Sequence, residues 1–413
     1  MSVLSASPIG FPRTLCGLTS FRYHRTPPRY LHICPAIPLS AYTPPYRELR
    51  ESPLATEILG FPLHALVETA SQRSQSKAFR YHVMPHELPF ESIQDTLYGF
   101  EVASPALTLF TLSRTLTFNQ LVMAMYEMCG RFALYSPSDR LQAELETHGL
   151  GTCSDGWTCV RDQIGSPTSL WTRPPLITTS DLEQFAAGLR GIRGSKMFEQ
   201  AVNCVSGVTA SPLEAQLSML LWMSCDLGGW GYRNFENNYR IVLSNNAKTL
   251  IDTDHAEVDM RVLSPDGTKE WMVECQGKVI HDRVGAGTRD SLRATALQTM
   301  GHSVTMVTSD QLSDSDKFNA LLDLLSAQLN IHWPEKTSKQ VFAEDKLRSE
   351  IFDDWIKLAD EPSATERARR YAENKAKRAP GHFLKRKKCP NGMGKRGKYT
   401  NVERKPSGHS REN

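Results

Sequence analysis

The stretch EVDMRVLSPDGTKEWMVECQ, Glu257 to Gln276, decides how this chain is read. Apolar and polar residues alternate on both sides of Ser264-Pro265-Asp266-Gly267, a tetrapeptide with the residue preferences of a type I turn. Alternation at period two is the signature of a strand, so Glu257–Leu263 and Glu270–Cys275 are expected to form an antiparallel hairpin. A turn centred on Pro265 and Asp266 sets Asp259 opposite Met272 and Glu257 opposite Glu274. Glu257, Asp259, Glu274, Gln276 and Lys278 then project from one face. Like charges facing one another are destabilising, and a hard divalent cation such as Mg²⁺ would offset that repulsion. The competing reading is a solvated sheet face on which Arg261, Lys278 and Arg283 screen the acids.

Outward from the hairpin the pattern stays regular. Upstream, Ser211-Pro212-Leu213-Glu214 is a capping-box start with proline at the first helical position, and the helix runs to about Trp222. A Gly-rich turn, GGWGY at Gly228 to Tyr232, and a short strand, Tyr239–Leu243, come next. Downstream, a helix over Thr288–Met300, an apolar strand over Ser303–Thr308 and a helix ending near Leu329 complete the set. Helix, three strands, helix, strand, helix implies an α/β (α+β) mixed sheet flanked by helices.

The rest of the chain falls into pieces of different character. Residues 54–207 read as a mixed, mainly helical domain with strand-like stretches before Gln94. Ser104-Pro105 opens one helix, FNQLVMAMYEMCGRF supplies another, and 133–176 reads as a long connection. Residues 208–332 hold the hairpin unit and 335–365 a helical extension. The first 47 residues carry eight of the 24 prolines, five arginines and no acid, and are expected to be disordered. The 366–413 tail holds 16 Lys and Arg against 4 acids, leaving 32 basic against 41 acidic residues elsewhere. Such a basic disordered arm, with Lys385, Arg386, Lys387, Lys388, Lys395 and Arg396 at its densest points, is expected to bind polyphosphate through counterion release, against the simpler reading of a solubilising tail.

Several classes are excluded by what the sequence lacks. No apolar run approaches the roughly 18 residues of a membrane span, and no secretory signal opens the chain. The nine cysteines form no Cys-x-x-Cys, so neither a disulfide framework nor a zinc ribbon is indicated, and a reducing cytoplasm is the expected setting. Walker, dinucleotide-binding and Gly-x-Ser-x-Gly signatures are missing, which argues against kinase, dehydrogenase and hydrolase-elbow chemistry.

A helix bearing Glu214, then Asp259 on one strand and Glu274-Cys275-Gln276 on the next, resembles the PD-(D/E)XK nuclease fold. The order Glu274, Gly277, His281, then Asp290-Ser291-Leu292-Arg293, then Gly301 before Val304, is similar to the branch related to very-short-patch-repair (Vsr) endonucleases. This resemblance covers about Ser211 to Leu325. The upstream region, with SPALTLFTLSR and the MCG at Met128 to Gly130, is similar to actinobacterial proteins that carry this domain beside AbiEi-like antitoxin regions.

The resemblance implies a Mg²⁺-dependent DNA endonuclease with a restriction-endonuclease-like domain. Asp259 and Glu274 are then the metal ligands, with the carbonyl of Cys275 a further oxygen and Glu214 reaching the metal through water. Glu214 is equally read as a capping residue. His281 would protonate the leaving oxygen or orient water, against the simpler reading of a structural histidine. The family's lysine is replaced by Gln276, whose amide still positions a water, while Lys278 supplies a nearby charge. Arg293 is expected at a phosphate and Trp230 on a base, although chain reversal alone explains GGWGY. Loss of the chemistry through Gln276 would instead leave a non-catalytic DNA-binding regulator or antitoxin-like protein of the same fold. The remaining alternative is a structural or protein-interaction module with a merely solvated acidic face.

Overall fold

The computed structural model describes residues 13–73, 75–84, 88–89, 91–149, 155–162, 164–251, 253–276 and 286–362, with backbone alone at 286–290. Met1–Glu361 is one compact unit and Pro362–Asn413 a second, of which only the first residue is described. The basic tail and the expected contacts at Lys385, Arg386, Lys387, Lys388, Lys395 and Arg396 lie outside the described residues, as do Gly277, Lys278, His281 and Arg283.

The strands form three sheets with helices against them. β1 (Thr14–Leu15), β2 (Leu63–Val67), β3 (Phe79–Val83), β4 (Ile93–Asp95) and β5 (Glu101–Ala103) make a five-stranded sheet in the order β3-β2-β1-β5-β4. β6 (Phe132–Leu134), β7 (Thr158–Arg161) and β8 (Pro167–Thr172) make a three-stranded sheet in the order β6-β8-β7. β9 (Phe235–Val242), β10 (His255–Leu263), β11 (Glu270–Gln276) and β12 (Val304–Thr308) make the third, in the order β12-β11-β10-β9. The first three strands of that sheet pair antiparallel, and β12 adds parallel to β11. The helix Ala286–Thr299 connects this parallel pair, as such a crossover requires.

Local signals account for the helix starts. Ser104 Oγ accepts from the Leu107 N–H and Ser211 Oγ from the Glu214 N–H, each with proline at the first helical position. The helices Pro105–Leu112, Phe118–Cys129 and Pro212–Trp222 are almost wholly buried. After the last of these, GGWGY folds back along the helix end: the Trp230 N–H donates to Leu220 O and the Tyr232 N–H to Leu221 O. Gly228 there has φ +97°, and a Cβ would sit 2.4 Å from Ala343 O, so the close approach of the Ser338–Ile351 helix depends on glycine.

Four sequence expectations are corrected. Residues 13–47 are folded and substantially buried: Gly17–Arg25 is a helix, and Arg25 donates from Nε and Nη2 to both carboxylate oxygens of Glu127. Pro27, Pro28 and Pro45 sit at helix starts and do not prevent order. The 133–176 segment carries β6, β7, β8 and the helix Asp139–Thr147, whose strands are too short to give a clear alternating run. The boundary expected at 207 falls inside a continuous core that includes Leu121, Met125, Leu217, Leu220, Val273 and Leu325. Residues 335–365 are no appendage, because Leu347, Ile351 and Trp355 belong to that same core.

The hairpin register is corrected as well. Leu263 pairs with Glu270 and Met260 with Val273, two residues longer than a two-residue turn gives. The Gly267 N–H still donates to Ser264 O, but Gly267 at φ +70° and Thr268 extend the loop before Lys269 O accepts from the Ser264 N–H. A shift of two preserves the side-chain faces, so Asp259 and Glu274 stay on one face.

Candidate functional site

Asp259 and Glu274 lie one step beyond the last paired couple of the hairpin, Met260 with Val273. There the Cys275 N–H donates to Asp259 Oδ2 at 2.6 Å, a charge-assisted bond from backbone to carboxylate. Glu214 approaches from the first turn of the Pro212–Trp222 helix, where its Oε2 accepts from the Ala210 N–H at 2.7 Å. Only half of the expected capping box is therefore formed: Ser211 caps the helix, whereas the Glu214 carboxylate binds the residue before the cap.

These acids repel one another in a dry setting. Burial, and then the charge of Asp259, push the Glu214 carboxyl up to about 8. Burial, with the charges of Asp259, Glu214 and Glu274, raises the Cys275 thiol well above its ordinary value, which makes it a poor nucleophile. Cys275 thus lies within the field of all three carboxylates.

Two arginines meet this cluster. Arg293 Nη2 donates to Glu274 Oε2 at 2.8 Å, from the helix Ala286–Thr299. Arg131 pairs with Glu257 and also donates to Asn238 Oδ1. Both guanidinium groups line an open cleft of about 550 Å³, together with Asn238, Glu257, Asp259 and Arg173. Arg173 is built into the wall: its Nη groups donate to the carbonyls of Gly130, Pro174 and Glu127.

The sequence reading placed Asp259, Glu274 and Glu214 together; in the fold the charge of Asp259 reaches the Glu214 carboxyl and all three act on the Cys275 thiol. Gln276 ends β11, paired with Thr308. Arg293 is at the site, but its described partner is Glu274; the side chain of Asp290 lies outside the described residues. Arg261 does not screen the cluster, since it pairs with Glu236 and Glu270. Trp230 has structural partners. Its half-buried ring packs against the core, meets Trp333 edge-on at 5.9 Å and carries Lys336 Nζ 4.0 Å from its centroid, so one face is taken.

Sequence reasoning missed Arg131 and Asn238. Arg131 comes from the helical half, held by its N–H on Thr209 O and its carbonyl on the Arg173 N–H. The preceding Gly130 permits that closeness, because a Cβ would lie 2.8 Å from Thr209 O. Asn238 sits mid-strand at φ +50°, and an Asn-Asn pair directly before the strand run was the available signal.

The donors present are hard oxygens of the kind Mg²⁺ takes, and their mutual repulsion is the condition such a cation relieves. Among the described residues, however, no group of three or more His, Cys, Asp or Glu is arranged to hold a metal, and the Arg293 guanidinium is bonded to Glu274. The donor chemistry fits, although the ligands are not converged.

No protein-family model matches this chain, and neither a curated protein nor a solved structure is similar to it. Among the described residues no helix is long and apolar enough to cross a membrane.

Proposed function

We propose that the chain is a Mg²⁺-dependent DNA endonuclease with a restriction-endonuclease-like, Vsr-related core that hydrolyses phosphodiester bonds in the Asp259 cleft. The observation that carries this reading is the meeting of Glu214, Asp259 and Glu274 around Cys275, with the Glu214 carboxyl pushed up to about 8. Three buried or half-buried acids at one spot destabilise a fold unless they serve a cation or a proton. The mixed sheet supports the same reading, with its antiparallel hairpin, crossover helix and parallel β12.

Asp259 and Glu274 would hold the ion. When bound, Mg²⁺ supplies Lewis acidity at a phosphoryl oxygen and a water of lowered pKa. The chain's own residues supply the rest. Glu214, uncharged over much of the neutral range, would hold or take up a proton beside Asp259, and the Arg131 and Arg293 walls would orient the polyanion. The described cysteines are all free thiols, in keeping with a reducing cytoplasm.

A second reading is favoured by one contact. The Arg293 guanidinium on Glu274, with Gln276 in place of a lysine, suits a DNA-binding regulator that has lost the chemistry. Calorimetric titration of the full chain with Mg²⁺ and Mn²⁺, beside Glu274→Ala, followed by incubation with supercoiled plasmid, separates the two. Metal binding that is lost in the variant, together with nicking, supports the enzyme. DNA binding with neither supports the regulator.

A further inference from the structure

The cleft is lined by the pair Arg131 and Glu257, by Asp259 and by Arg293, whose partner Glu274 is buried. The Arg131–Glu257 pair differs from the interior ion pairs of this protein. Arg25 and Glu127 are 3% and 0% exposed, and Glu274 beside Arg293 is 3% exposed, whereas Arg131 and Glu257 are each 39% exposed. A half-exposed pair contributes little, about 0–1 kcal/mol, so the Arg131 guanidinium exchanges its carboxylate for a stronger anion at small cost. A phosphodiester is such an anion, because the planar guanidinium fork matches two of its oxygens.

Placement favours the same ligand. Thr209 O accepts from the Arg131 N–H, and the adjoining Ala210 N–H donates to Glu214, so one dipeptide sets Arg131 and the buried acid relative to each other. Asn238 then ties the two: Oδ1 accepts from Arg131, and Nδ2 lies 3.4 Å from Glu214 Oε2. Arg173 lines the cleft too, but three carbonyls occupy its Nη groups, so it shapes the wall.

We propose that Arg131, supplied by the helical half of the chain, receives a backbone phosphate of the nucleic acid in the cleft that Arg293 also lines, and that Glu257 holds the Arg131 guanidinium until the phosphate arrives. This rests on the reading of the cleft as a phosphodiester site, and it places part of that site outside residues 208–332. Arg131 is thereby a substrate-binding residue, and Glu257 a positioning residue that acts through it.

The test uses the full chain in EDTA with a short fluorescein-labelled DNA duplex, read by fluorescence anisotropy across a salt series. Arg131→Gln should weaken binding about fivefold to twentyfold and reduce the slope of log affinity against log salt by about 1. Arg131→Lys should keep the slope while recovering part of the affinity. Glu257→Gln should tighten binding about twofold or more, because the guanidinium loses its competitor. The double variant Arg131→Gln/Glu257→Gln, which leaves neither charge stranded, should bind as Arg131→Gln does. Wild-type affinity and slope in Arg131→Gln, or in the double variant, overturns the proposal. So does weaker binding with an unchanged slope, which marks a structural role. A wild type that does not bind the duplex overturns both this proposal and the nuclease reading. Loss of one ion in Arg131→Gln, in a protein that never nicks plasmid with Mg²⁺, sustains the phosphate site and sinks the enzyme alone.

Discussion

The Cys275 N–H donates to Asp259 Oδ2 at 2.6 Å, so the aspartate that would hold a metal also closes the gap where β10 and β11 stop pairing. Structure and chemistry therefore meet in one side chain, and two substitutions separate them. Asp259→Ala strands a buried N–H and should cost about 1–3 kcal/mol in urea unfolding. Asp259→Asn keeps an acceptor and should cost less, yet it should abolish nicking as fully as the alanine does. Equal stability losses in the two variants would show that the backbone bond contributes nothing.

The Arg25–Glu127 pair joins the first folded helix to the core, and Arg25 also reaches the carbonyls of Trp355 and Ile356. Arg25→Met leaves Glu127 buried and uncompensated, so a loss of about 3–5 kcal/mol is expected in chemical denaturation. Arg25→Met/Glu127→Leu should recover most of it. A single variant as stable as wild type would mean that the N-terminal segment is not held by this pair.

Trp230 gives a third expectation. With Trp333 against its edge and the Lys336 ammonium over its face, Trp230→Ala should cost about 2–4 kcal/mol through lost packing. DNA affinity of the folded variant should stay at the wild-type level. Weaker DNA binding with unchanged stability would restore the stacking role that its sequence context suggests.

Acid sensitivity follows from one buried and one half-buried histidine. Burial lowers His24 to about 4, with its Nε2 on Ala103 O, and burial followed by the charge of His64 lowers His82 to about 3. Both rings are held neutral when folded, so the unfolded chain binds more protons once the pH drops below about 6.5. Their contribution is complete above that value and is lost as pH falls through 4, by about 3 kcal/mol for His24. Stability of His24→Gln, measured from neutral pH down to 4, should decline less steeply than wild type. Parallel curves would assign the acid loss elsewhere.

What was legible in the sequence is the part specified locally. Ser104-Pro105 and Ser211-Pro212 carry their caps in adjacent residues, and the hairpin carries its alternation. Parity rescued the acidic face even though Gly267 lengthened the turn by two. What was illegible depends on partners distant in sequence. Arg25 finds Glu127, Arg29 finds Asp155 and Arg22 finds Asp360, so an acid-free, proline-rich start becomes ordered through acids supplied by other regions. Arg131 escaped notice for the same reason, since its relation to Glu257 and Asn238 exists only after the two halves pack.

The core that runs unbroken from Leu121 through Leu217 to Val273 and Ile351 has a practical corollary for dissection of this protein. Residues 208–332 are not a transplantable cassette: cut free, they would present to water the faces of Leu213, Leu217 and Leu220 that now meet the helical half. Grafting or fusion work should take the body that ends at Glu361 as its smallest portable piece.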